Sequence, residues 1–193
     1  MQEWPYRLIK ALAFIHRKKD ISAEDFKEYY ETTHAPLANS LLSLEDYERN
    51  YIIQTKNPKF STLGSISIFK YQSTEALEII GQEMSSSKGD TLRKDELNFM
   101  DVSKNYHLLT ETTELTTRSF NKKLFFFASN LNELNLLNDR NELIKISDNI
   151  LIESNQSLGI VEYGIKDGVS LEPLWRLEKE QPKMIFVESI RSH

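Results

Sequence analysis

Tyr29-Tyr30-Glu31-Thr32-Thr33-His34-Ala35-Pro36-Leu37 is the stretch on which the fold reading turns. Pro36 biases Ala35 away from helical angles, so a helix entering this stretch is expected to end near His34. Phe26, Tyr29, Tyr30 and Thr33 recur ahead of it at helical spacing. Ser22 can cap the first turn of that helix, and Glu24 and Asp25 suit the positive end of its dipole. A titratable imidazole therefore stands at an element boundary, where ligand sites often lie.

Upstream, Leu8 to Arg17 reads as a strand with two largely apolar faces. Leu8, Leu12, Phe14 and His16 share one face; Ile9, Ala11, Ala13 and Ile15 share the other. The alanines suit close approach of a helix, and the larger face suits a cavity or a second sheet. Downstream, Tyr47 to Gln54 and Ser65 to Tyr71 read as strands. A helix opens at Thr74, the polar run Ser85 to Asp90 interrupts it, and a further helical piece covers Thr91 to Met100. Tyr106 to Glu111 is the next strand. The order is β-α-β-β-α-β, a ferredoxin-like unit.

After the polar connection Thr112 to Asn121 the same order can be read again, more faintly. Leu124 to Ala128 is a strand and Leu131 to Ile146 an irregular helix. Asn149 to Glu153 and Leu158 to Ile165 form a hairpin, Leu171 to Glu178 a short helix and Met184 to Ser189 the last strand. The fold class expected is α+β: two ferredoxin-like units, residues 1–115 and 116–193, with antiparallel sheets packed as a barrel. A sheet with helices on one face leaves the other face bare, and two such sheets cover each other. The barrel would then close inside one chain as a pseudo-dimer, with a homodimer of such chains as a further option.

Composition narrows the function. The chain has 193 residues, a formal net charge of -5 and a pI near 5.5. That balance argues against a nucleic-acid or anionic-membrane binder. With no cysteine, thiolate catalysis, disulfides and cysteine-bound zinc are excluded, and a reducing cytoplasm is the expected setting. Met1 to Tyr6 lacks the apolar run of a signal peptide, and no stretch is long enough for a membrane span. Asn155-Gln156-Ser157 matches a glycosylation acceptor and is read as a chance match in a turn.

Four blocks together resemble the EthD-like family of the dimeric α+β barrel superfamily: Ala13-Phe14-Ile15-His16-Arg17-Lys18, Ser22 to Phe26, Tyr30 to Leu37, and Tyr47-Glu48-Arg49-Asn50-Tyr51. Asp95 to Asp101 is similar to the acidic segment such domains carry before their last strand. The resemblance spans roughly Leu8 to Glu111, and the second half has no counterpart of the His34 motif. It implies a ferredoxin-like fold paired into a barrel, with a cleft between sheet and helices. The wider superfamily includes cofactor-independent monooxygenases, polyketide cyclases and decarboxylases, so the fold alone does not fix the reaction.

His34 is the candidate catalytic residue, a general base or acid titrating near neutrality. The competing reading is a helix-end histidine that satisfies free carbonyls. Phe14, His16, Tyr30, Tyr51, Tyr71, His107 and Trp175 are the candidate substrate-binding residues, although aromatic side chains mostly serve packing. No histidine pair has ligand spacing, so neither a metal nor a cofactor is expected. The acidic cluster Asp95, Glu96 and Asp101 reads as a solvated helix face. The expected function is a small-molecule enzyme of oxygenase, cyclase or decarboxylase type acting on an apolar or aromatic compound. The alternative is a non-catalytic small-ligand-binding or stress-associated protein of the same fold.

Overall fold

The computed structural model describes residues 8–152, 158–180 and 183–192. Its strands are β1 (Leu8–His16), β2 (Asp46–Gln54), β3 (Leu63–Tyr71), β4 (Tyr106–Glu114), β5 (Lys122–Ala128), β6 (Leu143–Leu151), β7 (Gly159–Ile165) and β8 (Met184–Ser192). They close into one barrel in the order β1-β3-β2-β8-β5-β7-β6-β4. Every neighbouring pair is antiparallel. Read by halves, the order is β4-β1-β3-β2 and then β8-β5-β7-β6, the same permutation twice. The halves join edge to edge, β2 on β8 and β4 on β6. The barrel thus closes within one chain, and no sheet edge is left to template aggregation. The triplet Asn155-Gln156-Ser157 lies outside the described residues.

Period-2 alternation sorts the side chains. Leu12 and Phe14 of β1, Ile66 of β3, Phe125 of β5, Ile160 of β7 and Ile185 of β8 meet inside the barrel. Phe14 stacks on Tyr106 with ring centroids 4.6 Å apart and reaches Phe127 of the other half at 6.0 Å. The large face of β1 therefore covers a second sheet.

The barrel interior also holds charge. Lys10 Nζ lies 2.9 Å from Glu162 Oε1 and 3.2 Å from Ser147 Oγ, Lys123 pairs with Glu48, and Arg191 reaches Glu48 at 2.8 Å. Burial alone would raise the Glu162 carboxyl, but Lys10 and Lys123 hold it far below the usual carboxylate range. Each of these pairs links one half of the chain to the other.

Helices α1 (Ala23–Tyr29), α2 (Ala35–Leu41), α3 (Thr74–Met84) and α4 (Ser87–Phe99) cover the outer face of the N-terminal sheet, and α5 (Glu172–Glu180) belongs to the C-terminal half. Ser22 caps α1 as expected, its Oγ accepting from the Asp25 N–H at 3.0 Å. The expected helix end at His34 is not found. Tyr30–His34 forms a π turn, in which the Ala35 N–H bonds to the Tyr30 carbonyl, and the chain stays helical to Leu41. Widening the turn just ahead of Pro36 relieves the ring-to-carbonyl clash that would break an α-helix.

Two further expectations are corrected. The break between α3 and α4 is only Ser85 and Ser86, with Ser86 capping α4. Gly89 permits that tight corner, since a Cβ there would sit 2.0 Å from the Met84 carbonyl oxygen. In the second half no long helix covers Leu131 to Ile146. A short 3-10 turn spans Leu131–Asn135 and β6 begins at Leu143. The Asn-rich run there has poor helix propensity, and Ile144, Ile146 and Ile150 favour strand.

Candidate functional site

The alanine face of β1 opens onto a cavity of about 360 Å³ between sheet and helices. Ala11, Ala13 and Ile15 form its floor. Ala38, Leu77, Ile80 and Leu92 form its helical walls, and Tyr30, His34, Tyr47 and Glu96 supply its polar atoms. The small side chains of β1 do not draw a helix onto the sheet; they leave the space beneath it. That is the volume a small ligand would fill.

His34 reaches this cavity from the π turn. Its Nδ1 lies 2.7 Å from Asp95 Oδ2 on α4, and the other Asp95 oxygen accepts the Tyr29 hydroxyl at 2.7 Å. Asn98 in turn donates to the Tyr29 hydroxyl at 3.0 Å. A carboxylate at Nδ1 fixes the proton there and leaves the Nε2 lone pair, which makes no hydrogen bond among the described residues. Rings of Tyr30 and Phe99 hold the imidazole at centroid distances of 5.0 and 5.1 Å. Burial pushes the His34 imidazole below its ordinary value; the Asp95 carboxylate acts in the opposite direction without overcoming it. The neutral ring, a base, is the form this site favours.

A second polar chain runs along the sheet. Tyr47 donates its hydroxyl to Tyr30 at 2.9 Å, and Tyr30 and Ser67 share a hydrogen bond at 2.9 Å. Burial raises the Tyr30 and Tyr47 phenols, so both stay neutral donors. Next to them Arg49 grips Glu31 with two nitrogens, at 2.9 and 2.6 Å, and Tyr51 donates to the same carboxylate at 2.6 Å. This clamp ties the π turn to β2. Desolvation would raise Glu31, but Arg49 and Tyr51 bring it below its ordinary value.

Of the residues expected at the site, His34, Tyr30, Tyr71 and His107 line the cavity. Phe14 does not: as an even-numbered residue of β1 it points into the barrel. His16 sits past a register shift at the end of β1 with Nδ1 3.0 Å from Thr62 Oγ1, away from the cavity lining. Tyr51 faces the helices but spends its hydroxyl on Glu31. Trp175 packs on the outer face of the other half, against the cluster of Leu124, Phe126 and Phe186. Asp95 and Glu96, read from sequence as a solvated face, are placed otherwise: Asp95 bonds to His34 and Glu96 lines the cavity. A signal for them existed. Asp95 lies four residues before Phe99 and Glu96 four after Leu92, and both of those partners are buried. Among the described residues no group of three or more His, Asp and Glu side chains could hold a metal ion. No helix among them is long and apolar enough to cross a membrane.

Residues 18–103, which carry His34, Asp95 and Glu96, match the EthD domain model. Over these residues the chain is similar to EthD domains. A protein of the ethyl tert-butyl ether d (EthD) family from Bacillus halodurans C-125 is 24% identical, with 54% of this chain and 97% of that chain covered and a TM-score of 0.41. Two solved structures match over the full barrel, EthD domain and C-terminal half together. One is a candidate monooxygenase from Lactobacillus acidophilus NCFM, 8% identical, covering 96% of this chain and 94% of that chain with a TM-score of 0.52. The other is a candidate chlorite dismutase, 7% identical, covering 96% of both chains with a TM-score of 0.56. At such identities the likeness concerns the dimeric α+β barrel fold. No curated protein sequence matches the chain.

Proposed function

We propose that this protein binds a small apolar or aromatic molecule in the EthD-domain cavity and moves a proton on it through His34. The reaction would be of cofactor-independent oxygenase, cyclase or decarboxylase type. The observation that carries the reading is His34 itself. Its Nδ1 is held by Asp95 at 2.7 Å and its ring lines an apolar cavity of about 360 Å³. A base held in one tautomer beside an apolar pocket suits abstraction of a weakly acidic C–H or phenol proton. The two halves of the chain take the places of two subunits in this reading, and the proposed site lies in the N-terminal half. The outer sheet face of the C-terminal half is filled by Leu124, Phe126, Tyr163, Leu174 and Phe186. A chain without cysteine suits a cytoplasmic setting.

A thermal-shift screen of aromatic and polyketide-like compounds on the native protein and on His34→Ala tests this reading. A ligand at a hundred times its Kd stabilises by about 2.7 kcal/mol. Ligands that stabilise both proteins but turn over only on the native one support the proposal. Turnover that survives in His34→Ala removes His34 from the reaction. A screen without any hit removes the ligand pocket.

A further inference from the structure

We infer that Glu96 is a second catalytic residue in this cavity, the acid that protonates a carbonyl oxygen while His34 takes a proton from the adjacent carbon, and that the substrate is a neutral, enolisable ketone. The inference rests on the proposed role of His34 and adds the substrate class to it.

Three observations carry it. First, the cavity lining contains no lysine or arginine. An anionic substrate would give up its hydration with no cation to receive it, whereas a neutral one enters at little cost. Second, Glu96 faces this apolar space, and its carboxyl forms no hydrogen bond or ion pair with any described residue, unlike its neighbour Asp95, which holds both His34 and Tyr29. A half-buried carboxyl without a partner is available to a ligand. Third, Glu96 and His34 line the same cavity from α4 and the π turn, so a small molecule can touch both.

The charged and titratable surroundings agree. Arg93 and Asp95 flank Glu96 on α4, Tyr30 and His34 face it from the π turn, and Tyr47, Tyr71 and His107 line the cavity from β2, β3 and β4. Burial raises the Glu96 carboxyl above its ordinary value, Arg93 opposes this and Asp95 adds to it. Burial also lowers His34. The two shifts favour a neutral acid and a neutral base together, the pairing that general acid–base catalysis needs.

The step balances without a co-reactant. The α C–H bond breaks and its proton goes to His34 Nε2. The C–H electron pair becomes the new C=C bond, and the carbonyl π pair moves to oxygen, which takes the Glu96 proton. The product is the enol, with imidazolium and carboxylate left behind. Reversal in D2O returns the ketone carrying deuterium at the α carbon.

The test uses 2-tetralone as the neutral probe and its 6-carboxy analogue as the anionic one, with α-deuterium uptake in D2O followed by NMR. The native protein is expected to accelerate exchange of 2-tetralone and to leave the carboxylate at its background rate. Glu96→Gln keeps size and a hydrogen-bond donor but has no proton to give, so exchange should fall roughly 100-fold while 2-tetralone still protects against unfolding. The native rate should fall at high pH as Glu96 ionises, and this limb should be missing in Glu96→Gln. An unchanged rate and pH profile in Glu96→Gln, with exchange still dependent on His34, overturns the role of Glu96 and leaves that of His34 standing. Equal exchange of the carboxylate overturns the neutral substrate class. Binding of 2-tetralone without exchange, or no binding, overturns the whole inference.

Discussion

His34 Nδ1 and Asp95 Oδ2 lie 2.7 Å apart although 61 positions separate the two residues. The contact joins the π turn to α4 and sets which imidazole nitrogen is left to act. Replacing Asp95 by Asn removes the charge and lets the amide offer either a donor or an acceptor, so the tautomer is no longer fixed. Exchange of 2-tetralone should slow by roughly 10–100-fold, with KM changed little, because positioning partners of this kind are worth about that much. A steady-state comparison of kcat and KM decides it; a change confined to KM would place Asp95 in binding only.

The lowered His34 predicts two pH effects, one on stability and one on activity. In the unfolded chain the imidazole takes its proton near its ordinary value of 6.5, and in the folded protein at a lower pH. Between those two values the unfolded state binds more protons, so stability falls as pH drops through that window. Activity falls in the same direction but later: the base form persists below pH 6.5, and the acid limb of the rate profile should lie there. Urea melts and rate profiles from pH 5 to 8 would check both, and an acid limb above pH 7 would contradict the assignment.

The sequence carried the fold further than the site. Both apolar faces of β1 pointed to a sheet covered on two sides, and the barrel interior around Leu12 and Phe14 is the outcome. Period-2 alternation could not say which face met the helices, so Phe14 was placed with the ligand when Ala11 and Ala13 hold that position. Pro36 suggested a helix end because propensity is local, whereas the π turn is a tertiary compromise that keeps α2 on the sheet. Asp95 looked solvated because its partner His34 is 61 positions away in the chain; the spacing to buried Phe99 marked an inward face but could not name the partner.

Lys10 and Glu162 carry a prediction about the barrel interior. Both are about 1% exposed, and the pair spans the two halves of the chain. Lys10→Met strips Glu162 of one of its two cations and should cost about 3–5 kcal/mol, the usual penalty for breaking a buried pair. Adding Glu162→Gln should recover part of that loss. The native carboxyl sits far below its unfolded value, so its contribution is full above about pH 4.5 and fades as pH falls. Chemical denaturation of the single and double variants at pH 7 and pH 4 would show the coupling, and additive losses would deny it.

Pro36 gives a test of what the π turn is for. Pro36→Ala restores a backbone N–H and removes the ring, so the helix can close into a regular α form through residues 30–36. Stability should hold or rise. His34 would rotate away from Asp95, and a misplacement of about 1 Å costs on the order of 100-fold in rate. A variant that is stable, still binds 2-tetralone and loses its exchange activity would show that the turn positions His34. Full activity would show that the π turn is only an accommodation of proline.

Ala13 offers the cleanest separation of cavity from chemistry. It lies on the cavity floor, half-buried, and touches neither His34 nor Asp95 through any hydrogen bond. Ala13→Leu adds apolar volume to a space that is already open, so the overpacking cost that a filled core would impose should be absent. The melting temperature should stay within a degree or two of the native value or rise, because filling a void gains contacts. Protection by 2-tetralone should disappear, since the added side chain occupies the ligand volume. His34 should keep its titration, readable by NMR, because its Asp95 contact is made between the π turn and α4 and not by β1. Retained ligand protection in Ala13→Leu would mean that the ligand sits elsewhere in the protein.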